Sequence, residues 1–391
     1  MLSIFVSFFV ALMVTWVIVR LSHKNKNLLD FDLKGVQKVH AFPVPRIGGL
    51  GIFIAASAGC AFAYASSPAV GLWVATLLLS ASAAFGCGIV EDYTKNMSPR
   101  RRLVLTMVSA TAAYFMLDAA IVRVDIPLLD DGLGYMWLSL PLTIFAIAGV
   151  ANAVNIIDGF NGLAGVVTMF MLLSLAYVAF QVGDMFVMTA ALITVGSIAG
   201  FLILNYPHGL IFLGDGGAYF IGFMLAELAV LLVARNPSVS AWYAILLLIY
   251  PVVETVFSIY RRKFVRGVSP GLPDGVHLHM LIFKRLVRWT VGNRDARALT
   301  RRNALTSPYL WMLSLSAVIP ATLFWQSTLV LSAFCLLFVG TYVWLYAQIV
   351  RFKAPSWLIL RKRPAKARAA LLSKPSLLAE TESDIAYKVV E

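Results

Sequence analysis

The sequence predicts an all-α, polytopic integral membrane protein with about 11 transmembrane helices, and three observations support this. Of the 391 residues, 60% are hydrophobic and only 13% are charged, about half the charged fraction of an average soluble domain. Apolar runs of roughly 18–22 residues, each long enough to cross the hydrocarbon core of a bilayer, recur along the chain. The basic residues are confined to a few of the segments between these runs.

The apolar runs predict eleven spans joined by mostly short connections. They cover approximately residues 2–21, 47–66, 69–90, 103–122, 137–156, 162–180, 185–204, 217–234, 240–260, 308–326 and 328–350. No basic segment precedes the first run and no small-residue cleavage site follows it, so we expect a retained span and not a signal peptide. The three cysteines, Cys60, Cys87 and Cys335, lie in separate runs, which favours buried thiols over a disulfide framework.

The distribution of charge predicts the orientation. With eleven spans, 30 of the 32 lysines and arginines fall in four segments on one side of the membrane, and only Arg123 and Arg235 fall on the other. Because loops rich in Lys and Arg stay in the cytoplasm, we expect the N-terminus outside and the C-terminus in the cytoplasm. The net charge of +13 then reflects topology, and we expect no nucleic-acid partner.

We expect a single membrane-embedded domain over residues 1–350, followed by a basic, partly disordered cytoplasmic tail at 351–391. The outer loops are too short for chemistry of their own, so any active site belongs to the cytoplasmic loops. These loops cover residues 22–46, 91–102, 152–165, 205–217 and 261–306.

The first two cytoplasmic loops combine cations with a pair of carboxylates. Lys38 and Arg46 precede the second span, where they meet anionic lipid headgroups or hold an anionic substrate. Glu91 and Asp92 end the third span, and Lys95 follows them. Because acidic residues contribute little to membrane topology, this pair needs another reason. Two neighbouring carboxylates can bind a divalent cation, or one can raise the pKa of the other.

The next two loops place polar groups at the ends of spans. Residues 152–165 interrupt the apolar sequence with Asn152, Asn155, Asp158 and Asn161, and such side chains are costly at a membrane boundary unless they serve a function. We therefore expect them to form the wall of a site. In the fourth loop Asp215 stands among three glycines, which suits a turn or equally a ligand for a hard cation.

The fifth loop is the longest and most basic, beginning with Arg261 and Arg262. His277 and His279 follow at a spacing of two, which puts both rings on one side of an extended segment but on different faces of a helix. No cysteine or third histidine is near enough to favour zinc. Phosphate or carboxylate groups are the expected partners of these histidines.

Together, the cytoplasmic loops predict a Mg²⁺-dependent reaction of a polyphosphate, because carboxylates stand there among many cations. No glycine-rich phosphate loop precedes a lysine, which argues against an ATP-driven machine. No soluble domain is predicted that could deliver a second reactant. A membrane lipid phosphate attacking the pyrophosphate of a soluble nucleotide fits these constraints.

Five motifs resemble the polyprenyl-phosphate N-acetylhexosamine-1-phosphate transferase family, over roughly residues 30–290. They are Pro43-Val-Pro-Arg46-Ile-Gly-Gly, Glu91-Asp92-Tyr with Ser98-Pro99, Asn152-Ala-Val-Asn155 with Asp158-Gly-Phe-Asn161-Gly-Leu, Phe212-Leu-Gly-Asp215-Gly-Gly, and His277-Leu-His279. The resemblance implies transfer of a sugar-1-phosphate, most commonly GlcNAc-1-phosphate, from a UDP-sugar to undecaprenyl phosphate, with Mg²⁺ or Mn²⁺ and release of UMP. It also implies a homodimer in the bacterial inner membrane, an active site facing the cytoplasm, and a role at the start of O-antigen or other envelope polysaccharide assembly.

By position, the resemblance also implies roles for individual residues. Catalytic roles fall to Glu91, Asp92, Asp158, His277 and His279, with the Glu91–Asp92 pair engaging or deprotonating the lipid phosphate. Metal binding falls to Asp215 and Asn155. Substrate binding falls to Lys38, Arg46, Lys95, Asn155, Asn161, Asn205, Phe212, Arg261 and Arg262, with the Phe212 ring available to stack on the uracil base.

Three positions depart from the family pattern and leave the donor open. Glu91 stands where aspartate is usual, Asn161 where aspartate is common, and Ala218 where serine is usual. UDP-GalNAc or UDP-FucNAc would need the same phosphate and uridine contacts as UDP-GlcNAc. A transporter or flippase of lipid-linked sugars is the alternative from another class, but it would place polar groups near the bilayer midplane between repeated halves. A purely structural membrane protein would leave the paired carboxylates unexplained.

Overall fold

Long apolar helices make up most of the computed structural model, which describes residues 2–22, 29–30, 43–269, 274–287 and 296–353. The helices are α1 Leu2–Ser22, α2 Gly48–Ser66, α3 Pro68–Thr94, α4 Pro99–Leu117, α5 Pro127–Leu133, α6 Met136–Ile157, α7 Leu163–Gln181, α8 Met185–Asn205, α9 Gly214–Arg235, α10 Ala241–Leu247, α11 Ile249–Tyr260, α12 Leu278–Leu281, α13 Ala296–Leu323 and α14 Thr328–Val350. Wider π-helical turns, Arg261–Val265 and Ile282–Val287, continue α11 and α12. Two short strands, β1 Leu29–Asp30 and β2 Val44–Pro45, pair antiparallel with Leu29 opposite Pro45.

The predicted all-α polytopic membrane protein is confirmed. Within the described residues, nine helices are long and apolar enough to cross a membrane, and α10 with α11 and its continuation makes a tenth across a bend. Helix α4 matches the remaining predicted span but begins with three consecutive arginines, which lower its apolar content. The count of eleven spans and the orientation of the termini stay predictions.

Helix α9 lies at the centre of the bundle. Of its apolar stretch, 89% is buried, against 22% for α14 at the periphery. It packs on α3, α6, α2 and α7, so the residues at its first turn are surrounded by the ends of several other helices.

Glycines on α2 and α3 let the first turn of α9 approach them closely. A Cβ on Gly49 would lie 2.1 Å from the backbone nitrogen of Gly217, and a Cβ on Gly88 would lie 2.4 Å from that of Gly216. Any larger residue at Gly49 or Gly88 would therefore push α9 away. This packing brings Asp215 to the ends of α2 and α3.

A break between α10 and α11 redirects the chain toward the site. The two segments meet at a bend of 67°, and Pro251 lies in the first turn of α11. Proline has no N–H to continue the helical hydrogen bonds of the preceding turn, which is a common cause of such bends. Beyond the bend, α11 packs against α6 and carries Glu254 to the end of the bundle where the loops meet.

Candidate active site

Loops that are far apart in the sequence meet in one cleft of about 410 Å³ at the end of the bundle. Its walls are formed by the ends of α3, α6, α8 and α9, by α13, and by residues 276–281, which we call the histidine segment. The lining residues are Arg46, Glu91, Arg102, Asn155, Ile156, Asp158, Gly159, Phe160, Asn161, Asn205, Phe212, Leu213, Gly214, Asp215, His277, His279, Met280 and Asn303. Most of the predicted site residues therefore do lie together.

The Asp215 carboxylate is the centre of the charged wall. Arg102 donates a hydrogen bond from Nη1 to its Oδ2, and Asn155 donates from Nδ2 to its Oδ1 over 2.9 Å. The guanidinium of Arg46 lies 3.8 Å from the same Oδ1. Asp215 also stands in the first turn of α9, where the helix dipole favours negative charge. Two guanidiniums and a helix N-terminus thus surround this carboxylate.

Asp92 and Glu91, adjacent in sequence, make different contacts. The Asp92 side chain accepts hydrogen bonds from the backbone N–H groups of Asp215 (2.8 Å) and Gly216 (2.9 Å) and is buried. It therefore caps the N-terminal turn of α9 and is not among the residues that line the cleft. Glu91 does line the cleft, and its Oε2 accepts a hydrogen bond from the Met97 N–H over 2.6 Å.

Asn155 and Asp158 occupy the end of α6. Asn155 lies in its last turn, and Asp158 is the residue at which the helix ends. Burial, and after it the charge of Asp215, raises the pKa of the Asp158 carboxyl to about 7, against an opposing effect of Arg46. Asp158 can therefore accept and release a proton near neutral pH.

Asn161 and Asn205 hold the loops around the cleft in place. Asn205 donates to the Ile211 carbonyl and accepts from the Gly162 N–H, each over 2.7 Å. Asn161 donates from Nδ2 to the Pro207 carbonyl over 3.2 Å. An ionised aspartate cannot donate such a bond, which gives a physical reason for the amide where the family commonly has a carboxylate.

Phe212 joins the first loop to the start of α9. Its N–H donates to the Pro45 carbonyl over 2.8 Å, and its carbonyl accepts from the Gly48 N–H over 3.0 Å. The side chain is half-buried and lines the cleft. These backbone bonds on either side of Arg46 fix the place of its guanidinium beside Asp215.

The two histidines lie parallel, with ring centroids 5.1 Å apart, because His277 is in an extended conformation just before α12 begins at Leu278. The His277 Nδ1 lies 2.9 Å from Glu254 Oε1, and the other oxygen of Glu254 accepts from the Tyr342 hydroxyl over 2.9 Å. Burial lowers the pKa of His279 to about 3, so its imidazole is neutral. Its Nδ1 is buried without a hydrogen-bond partner in the described structure.

Of the four other predicted substrate-binding cations, three do not line the cleft. Arg261 is buried in an ion pair with Asp274 and donates to the Tyr346 hydroxyl over 2.6 Å. Arg262 donates to the Ser269 carbonyl over 2.6 Å, and Lys95 is exposed beyond α3. Their positions do not support a direct substrate contact. The fourth, Lys38, lies outside the described residues.

Two residues of the cleft, Arg102 and Asn303, were not predicted from the sequence. Arg102 is the last of three consecutive arginines, and the first two, Arg100 and Arg101, are exposed. Only one face of that helical turn can meet α9, and nothing in the sequence marks Arg102 as the residue on it. Asn303 accepts a hydrogen bond from the Asn161 N–H over 2.8 Å, and no signal in the sequence separates it from its neighbours.

The donor set fits a hard divalent cation that completes its coordination with substrate oxygens. The described residues contain no group of three His, Cys, Asp or Glu side chains close enough to hold a metal ion alone. Mg²⁺, however, is usually held by one or two carboxylates together with substrate phosphates and water. Asp215, with the amide oxygen of Asn155 beside it, offers one carboxylate and one neutral oxygen of this kind.

Comparison with known proteins agrees with the motifs. A model of glycosyl transferase family 4 matches residues 74–233. The chain is 28% identical to a probable undecaprenyl-phosphate N-acetylglucosaminyl 1-phosphate transferase of Bacillus subtilis, over 71% of this chain and 77% of the relative. It is 29% identical to a putative UDP-N-acetylglucosamine–dolichyl-phosphate N-acetylglucosaminephosphotransferase of Sulfolobus acidocaldarius, over 71% and 83%.

A third relative, a phospho-N-acetylmuramoyl-pentapeptide-transferase of Streptococcus thermophilus, is 26% identical over 58% of this chain and 70% of the relative. The names of all three relatives describe the transfer of a phosphosugar. The matched region contains Glu91, Asp92, Asn155, Asp158 and Asp215, so it covers most of the charged wall of the cleft. The chain therefore matches glycosyl transferase family 4 over the part that forms this wall, and its relatives include polyprenyl-phosphate N-acetylglucosamine-1-phosphate transferases.

Proposed function

We propose that the protein transfers a sugar-1-phosphate from a UDP-sugar to undecaprenyl phosphate and releases UMP, with GlcNAc-1-phosphate as the transferred group. One observation carries this proposal. The Asp215 carboxylate, two guanidiniums and the Asp158 carboxyl line the same cleft, as a reaction between two phosphate-bearing substrates requires. The match to glycosyl transferase family 4 and the phosphosugar transferases among the relatives support the reaction class.

In the proposed reaction, an oxygen of the lipid phosphate attacks the phosphorus that bears the sugar. A new P–O–P bond forms, the bond to the phosphate of the uridine nucleotide breaks, and UMP leaves. Arg46 and Arg102 are placed to orient phosphate oxygens through charge-assisted hydrogen bonds. Asp158, whose pKa is about 7, accepts any proton that the lipid phosphate still carries.

The other walls would bind the rest of the nucleotide sugar. The half-buried Phe212 ring offers a stacking surface for uracil. The neutral His279, with an unpartnered Nδ1, can exchange hydrogen bonds with a sugar or phosphate group. Asp215 and the Asn155 amide oxygen would hold Mg²⁺, which when bound would neutralise charge on the pyrophosphate.

We further propose that the cleft faces the cytoplasm of a bacterial inner membrane. The distribution of charge supports this orientation, since 30 of the 32 lysines and arginines fall on one predicted side of the membrane. The cleft gathers residues of the cytoplasmic loops, among them Arg46, Arg102 and Asp215. Cytoplasmic UDP-sugars would reach such a site directly.

The test is a substitution of Asp215 read out in the purified protein. We expect Asp215→Asn to lower UMP release and the formation of chloroform-soluble labelled lipid at least a hundredfold, because the charge that faces the metal and the arginines is lost. Asp131→Asn, at an exposed position of the outer loops, is the matched control and should keep normal activity. Near-normal turnover in Asp215→Asn, with unchanged thermal stability, would contradict the assignment.

A donor panel with and without EDTA separates the finer alternatives. Radiolabelled UDP-GlcNAc, UDP-GalNAc and UDP-FucNAc are incubated in turn with undecaprenyl phosphate and Mg²⁺. We expect labelled lipid chiefly from UDP-GlcNAc, and none after chelation. A flippase or transporter of lipid-linked sugars would release no UMP from any donor.

A further inference from the structure

A second cavity lies at the same end of the bundle and shares no lining residue with the cleft. It has a volume of about 310 Å³ and is enclosed by α11 with its π-helical continuation, the histidine segment and the end of α14. Its lining residues are Phe257, Tyr260, Arg261, Val265, Arg266, Val276, Leu281, Arg285, Tyr346 and Val350. The walls are therefore apolar except for three guanidiniums and two tyrosine hydroxyls.

The charge of this cavity is not balanced. Asp274 pairs with Arg261, but within the described residues no carboxylate pairs with Arg266 or Arg285. Arg285 donates to the Ile349 and Val350 carbonyls at the end of α14 over 2.9 Å and 2.5 Å. Arg266 lines the same cavity. The cavity thus presents two positive charges without a carboxylate partner among the described residues.

Exposed apolar side chains surround the mouth of the cavity. Phe264 is 71% exposed, Val265 64% and Phe352 75%. Phe264 and Val265 end the bent segment that is apolar enough to span a membrane, and Phe352 lies two residues beyond α14. Apolar side chains interleaved with cations at the end of a span are typical of a segment at the headgroup boundary of a bilayer. A ligand at this depth has both an anionic group and hydrocarbon chains.

We propose that this cavity binds the phosphodiester headgroup of an anionic membrane lipid, with the phosphate between Arg266 and Arg285 and the acyl chains along Tyr260 and Val265. Two side chains that line the cavity, Arg261 and Tyr346, both donate a hydrogen bond to the Val276 carbonyl next to His277. A lipid bound in the cavity would therefore contact the groups that hold the histidine segment against the end of α14. This site is separate from the proposed acceptor site and does not depend on the reaction.

Native mass spectrometry of the full chain tests the proposal. The delipidated protein in detergent is incubated with phosphatidylglycerol or with phosphatidylcholine, which has a neutral headgroup. We expect one phosphatidylglycerol per chain to survive at collision energies that remove phosphatidylcholine. The double variant Arg266→Gln/Arg285→Gln should retain about tenfold less of it, since each cation near a bilayer surface adds to the binding of an anionic lipid.

Two variants guard against other causes of lost binding. Arg266→Gln alone removes a side chain for which the described structure shows no hydrogen bond or ion pair, so it should fold normally and still retain about threefold less lipid. Lys263→Gln/Arg351→Gln removes two nearby cations that do not line the cavity and should bind as the wild type does. Equal retention by wild type and cavity variants would overturn the proposal, as would equal retention of phosphatidylcholine. Displacement of the lipid by millimolar inorganic phosphate would make this a site for free anions and overturn the lipid assignment.

Discussion

The Asp92 carboxylate on α3 accepts hydrogen bonds from the backbone N–H groups of Asp215 and Gly216, over 2.8 and 2.9 Å, at the first turn of α9. One carboxylate of the site therefore positions another. The contact joins two positions 123 residues apart and fixes the position of the Asp215 backbone at the start of α9. This relationship gives Asp92 a structural reason to be acidic, besides the role that the family resemblance implies.

We expect Asp92→Asn to destabilise the protein by about 1–3 kcal/mol, because the amide offers one acceptor where two N–H groups need partners. Activity should fall with it, since Asp215 loses its support. Glu91→Gln is the matched comparison, because its oxygen can still accept from the Met97 N–H, and it should change the stability by less than about 0.5 kcal/mol. Chemical denaturation in detergent measures both. Equal stabilities of the two variants would show that the Asp92 cap contributes nothing.

We expect Asn161→Asp to destabilise the protein by about 1–3 kcal/mol, although the family pattern that the motifs resemble commonly has aspartate there. In this chain the side chain is buried and faces the Pro207 carbonyl, so an ionised carboxylate would bring two acceptors together. The loss should shrink as pH falls and the carboxyl becomes protonated. Denaturation at pH 5 and pH 8 compares the two states. An Asn161→Asp protein as stable as the wild type at pH 8 would refute the donor role of this amide.

We expect Tyr342→Phe to lower activity while costing only about 1 kcal/mol in stability, the usual loss for one hydrogen bond. The hydroxyl holds Glu254, and Glu254 in turn holds His277 in the cleft. The loss should appear in kcat more than in KM if His277 acts in the transition state. Tyr243→Phe removes the hydroxyl that bonds Ser174, away from the cleft, and serves as the control. Unchanged kcat in Tyr342→Phe would exclude a positioning role for the last helix.

We expect the stability to fall below about pH 6.5 through His279. Its pKa is lowered from 6.5 to about 3 by burial, so between these values the unfolded chain binds a proton that the folded protein does not. Stability therefore falls as pH is lowered, by about 1 kcal/mol between pH 7.5 and 5.5. His279→Gln should lack this part of the pH dependence. Thermal unfolding of both proteins across this range makes the comparison, and parallel pH profiles would contradict the neutral state of His279.

The positions of the helices could be predicted because the signal for a span is local. A run of apolar residues long enough to cross a bilayer must form a helix, since the backbone polar groups have no other partners there. Hydropathy and turn residues therefore predicted most of the long helices to within about five residues. The exceptions are α13, which begins at Ala296 and not near residue 308, and the span at 240–260, which is broken into α10 and α11. The motifs around Asn155, Asp158 and Asp215 were equally visible, because polar groups at the ends of spans need a reason.

What only the tertiary structure decided is which of these groups face each other. The sequence does not distinguish Arg102, which pairs with Asp215, from Arg100 and Arg101, which are exposed. Nor does it separate the buried cap Asp92 from its neighbour Glu91 in the cleft. Hydrophobicity depends on the residue alone and can be read along the chain, whereas hydrogen bonds and ion pairs depend on distance and direction. Those are set only when α3, α4 and α6 pack around α9.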